Sequence, residues 1–236
     1  MKMNSEIPRR LCRWIAPVVL AVTSQLLPAQ EKKEESQPRG FVRIVNTISP
    51  GTGNVKVLVD GKNVYAPGYK FGAVTGGIGM PPGSHTVTFI REGVKEGSTK
   101  VVVNKDQTIT LISFAERVPA TDKVPAHFEI RILRLKQKET QNGRSASFVS
   151  VSAQPEIMAE LRDPAGNWER VFVKQFKIGE ADIKFTEGYV PIRVNHKDVE
   201  PLPIADAGNY VVVLYDDPEG NLKSVNFRDF KFLSAE

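Results

Sequence analysis

The sequence predicts an all-β protein made of two antiparallel Ig-like β-sandwich units in tandem. Three observations predict it. Apolar and polar residues alternate over short runs, Asp-Gly and Asp-Pro-x-Gly turns punctuate those runs, and the 3.6-residue period of a helix is nowhere sustained except in one ambiguous stretch. Gly 18 and Pro 16 in 236 residues also favour many short segments over long helices. The chain is 41 % apolar and 25 % charged, as in an ordinary soluble globular protein.

Residues 1–29 read as a signal peptide. Lys2, Arg9, Arg10 and Arg13 precede the apolar stretch from Trp14 to Val22, and Leu27-Pro28-Ala29 offers a small residue for cleavage. That apolar run is about nine residues, against roughly 20 for a bilayer-crossing helix, so no transmembrane span is expected in the mature protein. Arg9-Arg10 suits an ordinary basic leader better than a twin-arginine signal, which Leu11-Cys12-Arg13 matches poorly. Cys12 is the only cysteine, which excludes a disulfide framework and a cysteine-based metal site. The leader carries four basic residues and one acidic residue, Glu6, so cleavage takes the net charge from +5 to +2. More than half of the basic excess is discarded, and no nucleic-acid partner is expected.

Residues 30–39 have no apolar member larger than proline, so they bury too little surface to offset their ordering entropy; they read as a flexible charged tether. A first sandwich is expected over residues 40–120. Val42, Ile44 and Ile48 share one face of an opening strand, and Val55, Val57 and Val59 alternate with Lys56, Leu58 and Asp60. Asp60-Gly61 supplies the positive φ angles of a tight hairpin turn. Strands follow at Ser84–Arg91, Lys100–Asn104 and Thr108–Phe114, divided by Glu92-Gly93 and Lys105-Asp106. Residues 117–126, with Pro119 and Pro125, read as a linker.

A second sandwich is expected over residues 121–236, with strands at Phe128–Leu135, Ser147–Ala153, Ile157–Arg162, Trp168–Lys174, Ile183–Phe185, Tyr189–Val194, Asn209–Tyr215 and Lys223–Arg228. The first of these also has a spacing that suits a short amphipathic helix. Asp163-Pro-Ala-Gly-Asn167 and Asp217-Pro-Glu-Gly-Asn221 place Asp, Pro and Gly in type I turn order, and each should close a hairpin. Asn209–Tyr215 is apolar on both faces, as a strand buried in the middle of a sandwich would be. The two halves differ in charge: residues 40–120 carry nine basic and five acidic residues, residues 121–236 sixteen basic and eighteen acidic.

Phe41-Val-Arg-Ile-Val-Asn46, Val55-Lys-Val-Leu-Val-Asp-Gly-Lys62 and Met80-Pro-Pro-Gly-Ser-His-Thr-Val-Thr-Phe89 occur in an order that resembles a family of small secreted bacterial β-sandwich repeats of unknown function. It is also similar to the PEGA repeats of bacterial surface proteins. The resemblance covers residues 41–114. It implies an envelope or extracellular module for structure or attachment, and carries over no catalytic residue.

Candidate chemistry is sparse. Gly72–Gly83 is glycine-rich, yet Pro81-Pro82 and a strand follow it where a phosphate loop needs a helix, so it reads as an inter-strand connection. Ser84 and His85 are neighbours in a strand and point to opposite faces. His127 and His196 lie near the linker and in a loop. Asp206, Asp216, Asp217 and Glu219 could supply oxygen ligands to calcium, but Asp217, like Asp163, is explained as the first residue of a turn. Trp168, Tyr65 and Tyr69 could stack on sugars or simply pack. No catalytic, cofactor-binding or metal-binding residue is assigned, and ligand-binding residues stay unknown.

The functional expectation is therefore a non-catalytic protein exported to the periplasm or cell surface, with a structural or protein-attachment role in the cell envelope. The alternative is a carbohydrate- or polymer-binding module that uses exposed aromatic residues. The partner is an envelope protein or polysaccharide.

Overall fold

The computed structural model describes residues 39–137, 143–229 and 233–235. The expected signal peptide and all but the last residue of the tether lie outside the described residues, as does Cys12. The described chain is all-β, without a helix, and forms four sheets.

Its first strands are β1 (Gly40–Asn46), β2 (Thr52–Val59), β3 (Lys62–Asn63), β4 (Ile78–Met80), β5 (Gly83–Glu92), β6 (Val94–Val103), β7 (Thr108–Val118) and β8 (His127–Gln137). With β19 (Leu233–Ala235) they make a nine-stranded sheet, in the order β3-β2-β5-β6-β8-β7-β1-β4, with β19 added beside β8. One face of β1, β7 and β8 and one face of β2, β5 and β6 bury the same cluster, which includes Ile44, Val57, Phe89, Val101, Leu111 and Ile130. The sheet thus folds over on its own core. Asp60 and Gly61, at φ 48° and 78°, make the β2–β3 hairpin turn, and Asp106, at φ 58°, helps to turn β6 into β7.

The remaining strands are β9 (Arg144–Ser150), β10 (Glu156–Arg162), β11 (Trp168–Lys174), β12 (Ile178–Asp182), β13 (Gly188–Val190), β14 (Ile192–Val194), β15 (Lys197–Asp198), β16 (Leu202–Ile204), β17 (Gly208–Asp216) and β18 (Leu222–Asp229). They form the sheets β11-β10-β14-β15 and β12-β9-β17-β18 and the small pair β13-β16. Phe148, Ile157, Ile192, Leu202 and Leu214 lie in the core between them.

Alternation then does something less usual. In β17, Tyr210, Val212 and Leu214 enter that core, while Val211, Val213 and Tyr215 enter a third cluster with Val45, Ile112, Leu133, Leu135 and Val149. Strands β1, β7 and β8 therefore pack face to face against β9 and β17. Asn209–Tyr215 is buried on both faces, as its composition predicts. At one margin of this contact Arg43 pairs with Asp229 at 2.6 Å and Gln137 donates to the same carboxylate at 2.7 Å; the Asp229 side chain is 1 % exposed.

One sequence expectation holds against its alternative, and several change. Phe128–Leu135 is strand, not helix, because β8 pairs with β7 in an unbroken register from Ile109↔Lys136 to Val118↔His127. The expected linker 117–126 is for the most part the loop of that hairpin, with Arg117 and Val118 still in β7. Thus β8, which a division at residue 120 assigns to the second half, is hydrogen-bonded into the first sheet. Ile183–Phe185 is not a strand: the chain leaves β12 at Asp182, and Ile183 and Phe185 fill the core from a loop. β12 escaped notice because Ile178-Gly-Glu-Ala-Asp182 buries only Ala181 on a sheet edge. Tyr189–Val194 is split at Pro191, which has no N–H for a ladder.

The two halves pair their strands in one pattern. β1 runs parallel to β7 and antiparallel to β4, and β7 is antiparallel to β8; β9 runs parallel to β17 and antiparallel to β12, and β17 is antiparallel to β18. The outer order β3-β2-β5-β6 likewise matches β11-β10-β14-β15.

Candidate functional site

Where β1, β7 and β8 meet β9 and β17, one end of the contact opens into a cleft of about 510 Å³. Its walls carry Phe114, Phe128, Phe176 and Tyr215, with Pro50 and Pro218 at the margins. Backbone geometry builds each wall. After β1, the Thr47 N–H and hydroxyl both donate to Ser113 O, at 2.8 and 2.9 Å, and Asn46 Nδ2 donates to Tyr69 O and Lys70 O at 3.1 and 2.9 Å. The second half repeats the first of these bonds: Val151 N donates to Leu214 O at 2.9 Å.

Phe176 stands at φ 59°, an uncommon conformation for a bulky residue, held by its N–H bond to Ser150 O at 2.8 Å. This places its ring 5.2 Å from that of Phe114, so one aromatic wall spans both halves. Tyr215 is braced from behind by Phe71, edge to face at 5.3 Å. Burial pushes its phenol above the ordinary value, and the charges of Glu200 and Asp217 add to this. Phe128, 38 % exposed, stands open to solvent at the mouth.

Most polar groups of the cleft are already engaged; among the described residues the Ser49 hydroxyl and the Arg117 guanidinium are not. Asp216 accepts from the Ser152 hydroxyl and the Ala153 N–H, both at 2.8 Å. Asp217 accepts from the Glu219 and Asn221 N–H groups at 3.0 and 2.8 Å, and from Asn221 Nδ2 at 3.2 Å. Burial pushes the Asp217 carboxyl up, but the bonds from Asn221 and the charge of Lys223 outweigh it, leaving the group below its ordinary value. Glu116 pairs with Arg131 at 2.7 Å. The Arg117 guanidinium, exposed at the rim, has no hydrogen-bond or ion-pair partner among the described residues.

Protein-family models and curated proteins gave no match to this chain.

The residues singled out by sequence disperse over the molecule. His85 braces the Asp60-Gly61 turn: Nδ1 lies 2.7 Å from Asp60 Oδ2 and Nε2 lies 2.9 Å from Pro81 O. Both partners are acceptors, so both ring nitrogens donate only in the imidazolium form. The Asp60 bond, helped by Pro81, accordingly raises the His85 pKa. His127 contacts Pro125 O and Glu129, and His196 lies 3.3 Å from Glu160. The three histidines do not converge. Ser84 is on the exposed face of β5, opposite Val102 of β6.

Asp163 repeats the bonds of Asp217, accepting from Asn167 N and Nδ2 at 2.8 and 3.2 Å, which hold its carboxyl below the ordinary value. Asp206 binds Arg228 at 2.6 Å. These carboxylates serve turns and an ion pair. Among the described residues no group of three His, Cys, Asp or Glu is placed to hold a metal. The glycine-rich stretch is an inter-strand connection that includes β4, and Gly77 lies against the ring of Phe41.

Trp168 lies half-buried under Arg193, whose guanidinium carbon stands 4.2 Å from the ring centroid, so that ring face is already covered. Tyr65 and Tyr69 are 5.3 Å apart and tilted, with Tyr65 exposed. Sequence reasoning missed Phe114, Phe128, Phe176 and the exposed Tyr189 and Phe172. Phe176 had no signal at all, since its role depends on a left-handed backbone that no local pattern announces.

Proposed function

We propose that this chain is a non-catalytic, exported β-sandwich protein of the cell envelope that attaches a protein partner through the aromatic cleft. In this reading the two halves are Ig-like units in tandem, with the first unit extending through β8. The shared pairing order supports it, as does Tyr210 near the start of β17, whose hydroxyl donates to Asp206 O at 2.7 Å in the manner of a tyrosine corner. The leader and the resemblance of residues 41–114 to secreted bacterial repeats support export.

One observation carries the attachment role: a cleft whose walls come from both halves, rich in rings and open at Phe128, with a guanidinium at its rim that is unpaired among the described residues. Rings that can be covered without reorganising the backbone are what a partner's apolar side chains need, and Arg117 suits a neighbouring carboxylate. A photo-crosslinker at position 128 should yield a discrete polypeptide adduct in cells, while one at Val102, exposed on the outer sheet, should not. Equal labelling at both positions, or none at 128, would remove the reading. Export is tested by N-terminal sequencing of protein from the extracytoplasmic fraction, which should begin at Gln30.

The polysaccharide alternative is favoured by a different observation, the Tyr65–Tyr69 pair, now without Trp168. It predicts that Tyr65→Ala abolishes retention on envelope glycans while Phe128→Ala leaves it intact.

A further inference from the structure

Sheet edges are where a β-protein is open to another strand, and among the described strands β11, β12, β13, β16 and β18 each have a single hydrogen-bonded neighbour. β3 and β15 have two residues each and β4 has three, too few to template a partner. The edge of β8 meets β6 at Lys95↔Glu129 and is completed by β19, antiparallel, at Leu135–Gln137. β11 turns through Gln175–Lys177 into β12 and packs against it. β18 differs. Its eight residues, Leu222–Asp229, pair with β17 in an unbroken register, with no bulge and no proline, and β17 is its only hydrogen-bonded neighbour among the described strands. Residues 222 and 224–228 are half-buried and Lys223 is exposed.

Position in the fold makes this edge comparable with that of β8. Leu133 and Leu135 of β8 and Val225 and Phe227 of β18 face the same inter-half core, and β8 and β18 pair alike with β7 and β17. On β8 the position beyond the sheet holds a strand. On β18 it holds none among the described residues.

We infer that β18 is a self-association edge, pairing antiparallel with β18 of a second copy about a two-fold axis at Asn226. An isologous contact must be self-complementary, and this register is. It sets Val225 opposite Phe227′ twice, joining half-buried apolar groups on one face. Lys223 falls opposite Asp229′ and Arg228 opposite Ser224′, so no like charges meet. Asn226 meets its own copy. A register centred one half-residue away would set core-facing residues such as Val225 opposite outward-facing ones and is excluded by the pleat. The product is one continuous sheet of eight strands, β12-β9-β17-β18 and its mate. The inference is independent of the aromatic cleft.

Sedimentation equilibrium of the full chain from micromolar to millimolar concentration should show a monomer–dimer equilibrium. Hydrogen exchange should show amides in 222–227 gaining protection as concentration rises. Ser224→Lys places a cation opposite Arg228′ at two symmetric positions and should weaken the dimer roughly tenfold, whereas Ser224→Glu should tighten it. Asn226→Pro, checked for a retained fold by circular dichroism, should abolish it. A chain monomeric throughout the range overturns the inference. So does a dimer that responds equally to both charges at 224 or survives Asn226→Pro.

Discussion

Replacing Ile112 by alanine tests whether the face-to-face contact couples the two halves. Ile112 is fully buried, and in its sheet it lies between Val45 of β1 and Leu133 of β8, a row that packs toward Val149, Val211 and Val213. The substitution removes three carbon atoms at about 0.8 kcal/mol each and leaves a cavity, for a total of roughly 3–4 kcal/mol. With a urea slope near ~3 kcal/mol/M for a chain of this size, the midpoint should fall by about 1 M. The residue is in the first half, but the reporter is Trp168 on the outer sheet of the second. In a Trp14→Phe background Trp168 is the sole tryptophan, because the sequence has two. Its fluorescence transition should move with the far-ultraviolet circular dichroism transition and by the same amount. If the fluorescence midpoint stays in place while the dichroism midpoint falls, the halves unfold separately and the shared-core argument fails.

Three further outcomes follow from single contacts. His85 should titrate above its ordinary value of 6.5 by NMR, and Asp60→Asn should bring it down, since the Asp60 bond is the largest cause of the shift. Because the folded value is the raised one, the stabilisation from this pair is fully present below about pH 6.5 and is lost as pH rises through the folded value; a melting temperature that rose over that interval would contradict the assignment. Asn195 and His196, at φ 48° and 66°, form the two-residue turn between β14 and β15, so His196→Gly should stabilise by roughly 0.5–1 kcal/mol, read as a melting temperature higher by a few degrees. Gly97 lies where an added Cβ would come within 2.3 Å of Ile130 O, so Gly97→Ala should force β6 from β8 and cost about 2–3 kcal/mol in urea unfolding; a neutral result would mean that the two strands are not in close approach.

Much of the local structure was legible because it obeys local rules. The two Asp-Pro-x-Gly-Asn turns form as their residue order requires, and Asp163 and Asp217 make matching bonds to Asn167 and Asn221. Strands such as Trp168–Lys174 and Asn209–Tyr215 declare themselves by alternation or by an unbroken apolar run. Boundaries suffered where the signal was not local: β12 has little apolar content, and Ile183 and Phe185 are apolar because a loop buries them. The candidate site was almost illegible. Phe114, Phe128, Phe176 and Tyr215 are separated by up to a hundred residues, and each alone resembles a packing residue.

What the amino-acid sequence determined by itself was the all-β character, the turns and the faces of individual strands, since side-chain alternation and positive-φ turn residues act within a few positions. Tertiary structure alone decided that β8 joins the first sheet, that β17 lies between two cores, and that four distant rings meet in one cleft. Those outcomes depend on which sheet faces find each other, and the free energy that selects them comes from apolar area buried between residues far apart in the chain.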